Sequence, residues 1–574
     1  MKILAISCYY HDASAALLID GQVVSVAAEE RFTRVKHDQS FPKNAIEFCL
    51  RSNNFKIEDV DYVAFYEKPL MKFERFFEFT VKGFPKTYLQ FISQVPTWLK
   101  DRIMVLRKVR KSIKFKKKVF FVNHHMSHAA SFFASPFDKA AILVVDGVGE
   151  YATTSYGFGQ GNNVKIKSQI NFPHSIGLLY SAITAYLGFA VNNDEYKVMG
   201  LSSYGSMNKD KNEYYSRLKK VISMNDDGSY QLSMDYFSFQ YGSRMCSNKM
   251  YDLLGGKPRK EIEPIEKKHE DIAAALQMIT EESLFVLLNK IHDQFPSENL
   301  VFSGGVALNS VVNGKIVRNT PFKNVWILPD PGDGGTCVGA GLFVYNHLMK
   351  QPRSPQMKSA YLGPEFSDKE VEEFLVTNKI KHITYSSQEE MVKAVAKIIF
   401  DNKVVGWFQG RMEFGPRALG SRSILANPLN PDMQDILNLK VKHREQFRPF
   451  APAVLKEEAS KYFEMDKNFQ DPCDFMLMVY PIKEEWRKRL PAVTHIDGSG
   501  RVQTISRFNN ERYYDLIKEF GTLSGVPILV NTSFNVKGEP IVCTPNDAYK
   551  CMLGTEIDYL IMGKSLIKRA DNLT

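Results

Sequence analysis

Stretches of apolar residues alternate with short loops rich in glycine and acidic residues at the start of the chain. Residues 2–7 and 13–19 predict two strands joined by a polar loop. The pair Asp20-Gly21 then predicts a tight hairpin into a third strand over residues 23–28. The opening of the chain is therefore expected to form a small sheet.

The same order of elements returns after residue 140. An apolar strand over 141–145 leads into the glycine loop 146–150. Two further strands over 153–158 and 164–170 follow, with a turn between them. Two copies of strand, acidic loop and hairpin predict a duplicated fold of two similar lobes, and a chance likeness between two β-meanders is the alternative.

Beyond residue 270 the pattern becomes that of an α/β protein. Apolar positions three, four or seven apart predict a helix over 272–291, which Pro296 ends. Two short strands then lead into glycine loops, with a helix expected from about Val338. The predicted strands and loops here are 300–302, 303–309, 325–328 and 329–336. The proline-containing stretch 351–355 is expected to mark the main domain boundary.

The remaining residues predict a second α/β unit. Its predicted elements are strands over 404–408 and 527–531 and helices over 388–400 and 545–553. A chain of 574 residues is several times the usual domain size, so each part is long enough to bury its own core.

The net charge of +10 invites a nucleic-acid interpretation until its location is considered. Nine basic residues and no acidic one lie between Arg102 and Lys118, and without them 65 basic residues face 64 acidic ones. This stretch predicts a helix with a basic outer face or a segment that faces an anion, and an ordinary solvated face is the alternative. No nucleic-acid partner is expected.

The cysteines and apolar runs bear on location. Seven scattered cysteines without a Cys-x-x-Cys pair favour neither a disulfide framework nor a zinc ribbon. No apolar run approaches 18 residues, and the one at the N-terminus is too short for a signal peptide. A cytoplasmic protein without a membrane span is expected.

Three histidines fall within five residues, at positions 124, 125 and 128. On a helix, His124 and His128 share a face and could bind one metal ion. Asp146 and Asp333 stand in glycine loops at strand ends and are the natural additional ligands. Such a set suits Fe(II) or Zn(II), provided that the four side chains converge. Capping or core hydrogen bonding by the histidines is the alternative.

Glycine loops at successive strand ends are candidate phosphate sites, because backbone amides approach a phosphate closely only where no side chain intervenes. Turn geometry alone is the alternative for each loop. The candidates are Gly147, Gly149, Gly304, Gly305 and Gly334.

The second half of the chain places cations beside rigid neighbours such as Gly415-Pro416. Guanidinium and ammonium groups in such surroundings suit phosphorylated substrates, because they neutralise charge that develops during phosphoryl or adenylyl transfer. The cations and their polar neighbours are Arg411, Arg417, Arg422, Lys440, Lys442, His443, Arg444, Arg448, Arg501 and residues 531–535.

Read together, these motifs resemble the ATP-dependent O-carbamoyltransferases that tailor antibiotics and nodulation factors. The resemblance runs in family order along nearly the whole chain and is weakest between Phe65 and Lys118. It rests on residues 11–15, 29–34, 124–128, 146–150, 196–201, 303–309, 410–422, 448–452, 494–498 and 531–535.

The resemblance implies a domain over 1–355 with an actin-like (ASKHA) duplicated fold, similar to the tRNA threonylcarbamoyl-transfer proteins and the sugar-kinase superfamily. It implies a YrdC-like domain over 356–574. The second domain would form carbamoyl-adenylate from carbamoyl phosphate and ATP. The first would pass the carbamoyl group to a hydroxyl of a sugar-containing or natural-product acceptor. Related hydrogenase-maturation proteins carry zinc-finger cysteine pairs that this sequence lacks.

Site roles follow from the same resemblance. His11 would be the general base, because an imidazole with a near-neutral pKa suits that task, and Asp12 would also be catalytic. A loop histidine that orients Asp12 is the alternative. Lys442 and Arg417 would be catalytic. Carbamoyl phosphate would be bound by Arg417, Lys442, Arg448 and Ser533, and nucleotide by Gly147, Gly149, Gly304, Gly305, Asn309, Arg501 and Asn535. The metal ligands would be His124, His128, Asp146 and Asp333.

The implied metal is Fe(II), with Zn(II) or Mn(II) as alternatives, and Mg(II) would accompany ATP. A homodimer is implied as well. An actin-like small-molecule kinase, a tRNA-modifying threonylcarbamoyl-transfer protein and a non-enzymatic ATP-dependent module remain alternatives. The kinase would explain the lobes and glycine loops but not the histidine cluster.

Overall fold

The structure, a computed structural model, describes residues 1–85, 87–88, 91–92, 104–242, 244–353, 356–466 and 471–573. The chain forms two compact units. Residues 1–24 and 39–357 make the first unit, and residues 25–38 and 358–574 make the second. The predicted boundary stretch ends with Ser354 and Pro355, which lie outside the described residues. The second unit thus takes one segment from the N-terminal part of the chain.

In the described ranges before residue 357, the strands form two five-stranded sheets and a short hairpin. They are β1 (Lys2–Ser7), β2 (Ser14–Ile19), β3 (Gln22–Ala28), β4 (Tyr62–Phe65), β5 (Val119–Phe121), β6 (Lys139–Val145), β7 (Ala152–Gln160), β8 (Asn163–Asn171), β9 (Ile222–Met224), β10 (Tyr230–Leu232), β11 (Asn299–Ser303) and β12 (Asn324–Trp326).

The two five-stranded sheets repeat one topology. The first has the order β3-β2-β1-β4-β5 and the second the order β8-β7-β6-β11-β12. In each sheet the central strand, β1 or β6, pairs antiparallel with the strand that follows it in the chain, β2 or β7. On its other side it pairs parallel with β4 or β11, which in turn pairs parallel with the edge strand β5 or β12. The predicted duplication is therefore confirmed, as is the actin-like architecture of two similar lobes. The predicted hairpin is also confirmed: Asp20 and Gly21 both have positive φ, at 48° and 80°.

Helices separate these strands in the α/β manner. They are α1 (Glu30–Thr33), α2 (Lys43–Arg51), α3 (Pro69–Lys82), α4 (Val105–Ile113), α5 (His124–Ala129), α6 (Ile176–Tyr186), α7 (Glu195–Leu201), α8 (Glu213–Leu218), α9 (Asn248–Leu254), α10 (Lys267–Gln294), α11 (Ser310–Asn313), α12 (Ile316–Asn319) and α13 (Thr336–Leu342). The helix predicted over 272–291 is the central part of α10. The glycine turn after β11 leads only into the single turns α11 and α12, between which Gly314 ends α11.

The basic stretch forms a helix where the structure describes it. Val105 and Val109 of α4 are buried, while most of its cations are exposed, which confirms the predicted basic outer face for this helix. Lys114 ends the helix in the left-handed conformation. Lys117 donates to the carbonyls of Glu58 and Val60 and so ties the following loop to the protein. Arg102, the first residue of the stretch, lies outside the described residues.

The second unit is built on a nine-stranded mixed sheet with the order β13-β21-β20-β14-β15-β19-β16-β18-β17. Its strands are β13 (Ile383–Thr384), β14 (Val405–Phe408), β15 (Arg422–Ala426), β16 (Ala451–Leu455), β17 (Met478–Pro481), β18 (Ser499–Ile505), β19 (Ile528–Ser533), β20 (Tyr559–Met562) and β21 (Ser565–Lys568). Its helices are α14 (Asp368–Thr377), α15 (Gln388–Phe400), α16 (Met433–Asp435), α17 (Ala459–Tyr462), α18 (Asp471–Asp474), α19 (Glu484–Arg487), α20 (Glu511–Ser524) and α21 (Pro545–Leu553).

Helices α15 and α20 cover one face of this sheet. Val395 and Phe520 from the two helices are buried in one apolar cluster with Trp407 of β14. The predicted α/β class is confirmed for this unit, and its likeness to YrdC remains a prediction. None of the helices in the described ranges combines the length and the hydropathy that a bilayer crossing requires.

A glycine substitution tests how closely the loop after β11 packs against β6. Gly304 follows β11 with a φ of +93°, and a Cβ there would lie 2.2 Å from the carbonyl oxygen of Val145. Backbone strain and overpacking each cost about 1–3 kcal/mol. We therefore expect Gly304→Ala to lower the free energy of unfolding by about 2–6 kcal/mol, measured by thermal and denaturant unfolding.

The matched control is Gly161→Ala. Gly161 also has a positive φ, +51°, but a Cβ there would meet no atom of the described residues within 4 Å beyond its own chain neighbours. Only the left-handed conformation is penalised there, at about 1–2 kcal/mol. Equal losses in the two variants would contradict the close approach of Gly304 to β6.

Candidate functional site

The histidine cluster lies on the short helix α5, at the end of β5. Asn123 caps this helix, its side chain accepting a hydrogen bond from the amide of Met126 at 3.2 Å. His124 and His128 are four residues apart on one face, with ring centroids 4.8 Å apart. Both side chains are buried, so the helix presents two imidazoles to the protein interior.

The four predicted metal ligands converge. One ligand atom from each of His124, His128, Asp146 and Asp333 lies within 4.8 Å of the others. Asp333 Oδ1 is 3.6 Å from Nε2 of each histidine, and Asp146 Oδ2 is 3.2 Å from Nε2 of His124. The sheet topology explains this, because β6, its parallel neighbour β11 and the next parallel strand β12 end at one edge of the sheet. The loops with Asp146 and Asp333 begin at that edge.

The donor set fits a transition-metal ion. Ligand atoms about 2.0–2.2 Å from a metal lie roughly 3–4 Å from one another, close to the separations seen here. Nε2 of His128 is buried and has no hydrogen-bond partner among the described residues, as expected of an atom that binds an ion. Burial lowers the pKa of His124, but Asp333 and Asp146 outweigh it and raise that pKa to about 9. A metal ion must therefore displace a proton from this histidine.

A buried carboxylate, Glu150, fixes the start of the histidine helix. Its two oxygens accept from the amide of His124 at 3.1 and 3.0 Å, and one also accepts from the amide of Lys68 at 2.7 Å. The Asn123 side chain donates to the same carboxylate. Glu150 thus joins α5 and the start of α3 to the loop that carries Asp146. The sequence motif contained Glu150 but indicated no role for it.

The loop with His11 has a strained backbone. Tyr9 and Asp12 both have positive φ, 75° and 45°, which such residues rarely adopt. Nδ1 of His11 lies 2.5 Å from Asp12 Oδ2, and Nε2 lies 2.9 Å from the carbonyl oxygen of Asn192. An oxygen atom faces each ring nitrogen, an arrangement that favours the protonated ring.

The expected near-neutral pKa of His11 is wrong for this conformation. Burial lowers the pKa of His11, but the hydrogen bond and charge of Asp12 and the charge of Asp333 raise it to about 9. Asp12 contacts His11 and stabilises the protonated ring.

Most of the predicted phosphate-binding glycines have a packing reason in this structure. A Cβ on Gly149 would lie 2.8 Å from the rings of both His124 and His125, and one on Gly334 would lie 2.3 Å from Asp330. The amide of Gly305 donates to Asp146 Oδ1 at 3.2 Å. At Gly147, in contrast, a Cβ would meet only Leu178 among the described residues beyond its chain neighbours, at 4.0 Å, so a ligand could approach the backbone there.

Asn309 uses its amide within the protein. Its Oδ1 accepts from the amide of Val312 at 3.1 Å, and its Nδ2 donates to Gln277 at 3.0 Å. These bonds cap α11 and link it to α10. A nucleotide contact by Asn309 would have to replace one of them.

In the second unit, Lys442 lies at the centre of the predicted anion site. Its Nζ donates to the carbonyl oxygens of Ser533 and Asn535, both at 2.7 Å, and to the Asn535 side chain at 2.6 Å. Ser533 Oγ is 3.3 Å away. Burial and the neighbouring cations Arg444 and Arg448 hold the pKa of Lys442 below its ordinary value. The structure therefore brings Lys442, Ser533 and Asn535 together.

The loop that carries Arg417 is held rigidly at its next residues. The carbonyl of Ala418 accepts from Asn531, and that of Leu419 accepts from Gln503, while the amide of Leu419 donates to the buried Glu413. Successive residues of a strand alternate between faces, so Asn531 and Ser533 of β19 share one face. The same holds for Gln503 and the predicted nucleotide ligand Arg501 on β18.

Of the remaining basic residues, Arg448 and Arg444 lie close enough to Lys442 to influence its charge. The Arg444 guanidinium stacks on Phe450 and donates to Asn438, which holds it in place. The sequence motif contained Arg444 without indicating a role for it. Arg422 is fully buried and donates to the carbonyls of Gln409 and Pro364, so its guanidinium stabilises the loop.

Comparison with known proteins adds to this geometry. Residues 2–342 match a family model described as "Carbamoyltransferase N-terminus", and residues 396–569 match one described as "Carbamoyltransferase C-terminus". The chain is 44% identical to the uncharacterized protein sll1178 of Synechocystis, over 98% of this chain and 95% of that protein. It is 35% identical to the nodulation protein NolNO of Sinorhizobium fredii, over 98% of this chain and 79% of that protein.

Among solved structures, HypF of T. kodakarensis aligns with a TM-score of 0.30 and 14% identity, over 61% of this chain and 48% of that protein.

Proposed function

We propose, because the chain belongs to the carbamoyltransferase family, that it is an O-carbamoyltransferase acting on a hydroxyl of a small-molecule acceptor. Carbamoyl phosphate and ATP would be its other substrates. The observation that carries this proposal within the family is the presence of two distinct polar centres, the His124–Asp333 cluster in one unit and the Lys442 cluster in the other. Activation and transfer are two reactions, and each centre suits one of them.

Activation would take place in the second unit. Water cleaves carbamoyl phosphate to carbamate and phosphate, and carbamate then attacks the α-phosphorus of ATP to give carbamoyl-adenylate and pyrophosphate. Lys442, with Ser533 and Asn535 around it, would bind the anionic oxygens, and Arg417 and Arg448 would add charge. Arg501 and Asn535 would contact nucleotide, whose charge Mg(II) would partly neutralise.

Transfer would take place in the first unit. The acceptor hydroxyl attacks the carbamoyl carbon, the bond to the AMP phosphate oxygen breaks, and AMP leaves. A metal ion held by His124, His128, Asp146 and Asp333 would supply Lewis-acid stabilisation of the phosphate charge, and Fe(II) is the ion we propose. Gly147 would let the phosphate approach the backbone, and Glu150 would hold the histidine helix in position.

The overall proposal is tested by exchange of labelled pyrophosphate into ATP. The proposed activation is reversible, so exchange should require carbamoyl phosphate and should not require an acceptor. With an acceptor present, AMP should form. Exchange that ignores carbamoyl phosphate, or ADP as the nucleotide product, would contradict the proposal and favour a kinase.

His11 is expected to take the proton from the acceptor hydroxyl. Burial lowers the pKa of His11, but Asp12, with help from Asp333, raises it to about 9, so the free base is the minor form at neutral pH. The transfer rate should therefore increase from neutral pH to about pH 9 and level off above it. Asp12→Asn should move this midpoint to lower pH, and His11→Ala should abolish the dependence while exchange of pyrophosphate survives. An unchanged pH profile in Asp12→Asn would contradict this role.

A further inference from the structure

Tyr66 directly follows β4 and lies in the interior of the first unit. It is fully buried, and its hydroxyl has no hydrogen-bond partner among the described residues. A buried hydroxyl without a partner costs free energy and is uncommon in folded proteins. The polar group that satisfies this hydroxyl is therefore expected to come from outside the described residues.

The surroundings of Tyr66 place it at the metal centre. Its ring packs edge-on against the imidazole of His124, with centroids 5.4 Å apart. Ser127 Oγ of the histidine helix donates to the Tyr66 carbonyl at 2.9 Å, which fixes the tyrosine backbone against α5. Burial raises the pKa of the Tyr66 hydroxyl, and the charges of Glu67 and Asp333 raise it further. The charge of Asp333, which lies 3.6 Å from both histidine nitrogens, therefore acts on this hydroxyl.

The chemistry of the side chain limits what it can bind. A phenol carries its proton at neutral pH and can donate one hydrogen bond. An oxygen atom coordinated to a metal ion beside Asp333 is an acceptor of suitable charge. Two sources of such an oxygen exist at this centre under the proposed function, a water molecule and a phosphate oxygen of the adenylate.

We propose that the Tyr66 hydroxyl is a further functional group of the transfer site, donating a hydrogen bond to an oxygen ligand of the metal ion held by His124, His128, Asp146 and Asp333. The inference rests on the metal site of the proposed function. Tyr66 would fix the orientation of the oxygen ligand, in the way that outer partners orient the ligands of other metal sites.

The test compares Tyr66→Phe with Tyr230→Phe in the ligand-free protein. Tyr230 is equally buried, but its hydroxyl accepts from the amide of Ile176 at 3.2 Å and lies 2.7 Å from Thr154 Oγ1. Tyr230→Phe should therefore lower the Tm by about 2–4 °C. Tyr66→Phe should leave the Tm unchanged or raise it, because no hydrogen bond is lost. A loss in Tyr66→Phe equal to that of the control would overturn the inference.

The second part measures ligand binding by calorimetry and thermal shift, with Mn(II) alone and with Mn(II) plus AMP. If the partner is water, Tyr66→Phe should weaken Mn(II) binding itself. If the partner is a phosphate oxygen, Tyr66→Phe should weaken only the Mn(II)-dependent part of AMP binding, by about 10- to 100-fold. Tyr230→Phe should change neither.

The outcomes separate the inference from the function on which it rests. A wild-type protein that takes up no metal contradicts the metal site and the inference together. Wild type and Tyr66→Phe that bind Mn(II) and AMP equally well overturn the inference alone.

Discussion

Replacement of Lys442 by alanine is expected to reduce carbamoyl-phosphate-dependent exchange of pyrophosphate into ATP by about 10²–10³-fold or more. The Lys442 ammonium is buried and surrounded by oxygen atoms of Ser533 and Asn535, so the change removes the cation at the centre of this cluster. The measurement is exchange of labelled pyrophosphate at saturating ATP, with and without carbamoyl phosphate.

The matched control is Lys440→Ala. Lys440 lies two residues earlier, is more than half exposed and pairs only loosely with Glu556, at 3.8 Å. Exposed pairs of this kind contribute little to stability, so this variant should exchange at the wild-type rate. Equal activity in Lys442→Ala and Lys440→Ala would remove Lys442 from the activation site. Transfer from chemically supplied carbamoyl-adenylate should survive in both variants.

The second large effect is expected from Asp333→Ala. Asp333 lies within 3.6 Å of Nε2 of both His124 and His128, and its loss leaves three ligands. Removal of a residue that only hydrogen-bonds to a metal ligand typically lowers the metal affinity about 10–100-fold, so removal of a direct ligand should lower it further. Carbamoyl transfer should disappear, while pyrophosphate exchange in the second unit should remain at the wild-type level. Metal content by elemental analysis and the two partial reactions measure this.

His125→Asn serves as the control for the same centre. His125 lies on the same helix and is equally buried, but its Nδ1 bonds to Ser155 Oγ at 2.8 Å. The variant should therefore keep the bound metal, at some cost in stability.

Loss of exchange together with transfer in Asp333→Ala would contradict the division of labour between the units.

The duplicated lobes and the convergence of the four ligands were predictable because both depend on local patterns. Hairpin signals recur at the start of each lobe, and the spacing of His124 and His128 fixes a shared helix face. Asp146 follows directly from a strand whose end the sequence marks. Parallel strands end at the same edge of a sheet, so the loops that follow them lie close together even when they are distant in sequence.

Other features depend on contacts between residues far apart in sequence. The contact between His11 and the Asn192 carbonyl spans 181 residues, and it helps to raise the pKa of His11 above the near-neutral value expected from the sequence. The packing reason for each glycine could not be predicted either, because the sequence does not show which atoms lie where its side chain would be. At Gly304 those atoms belong to Val145, in a strand that comes much earlier in the chain. The sequence did not indicate a role for Tyr66, because the hydroxyl of a buried tyrosine usually has a hydrogen-bond partner within the protein.

The segment 25–38 of the second unit has a consequence for how the protein is made. The Arg34 guanidinium donates to the carbonyl of Ile541, 507 residues later, and Arg31 donates to that of Gly415. A ribosome that adds about 5–20 residues per second needs roughly 25–100 s to synthesise the intervening chain. Throughout that time the segment has emerged without its final partners, so the second unit can be completed only near the end of translation. A fragment that begins at residue 358 would lack these contacts permanently.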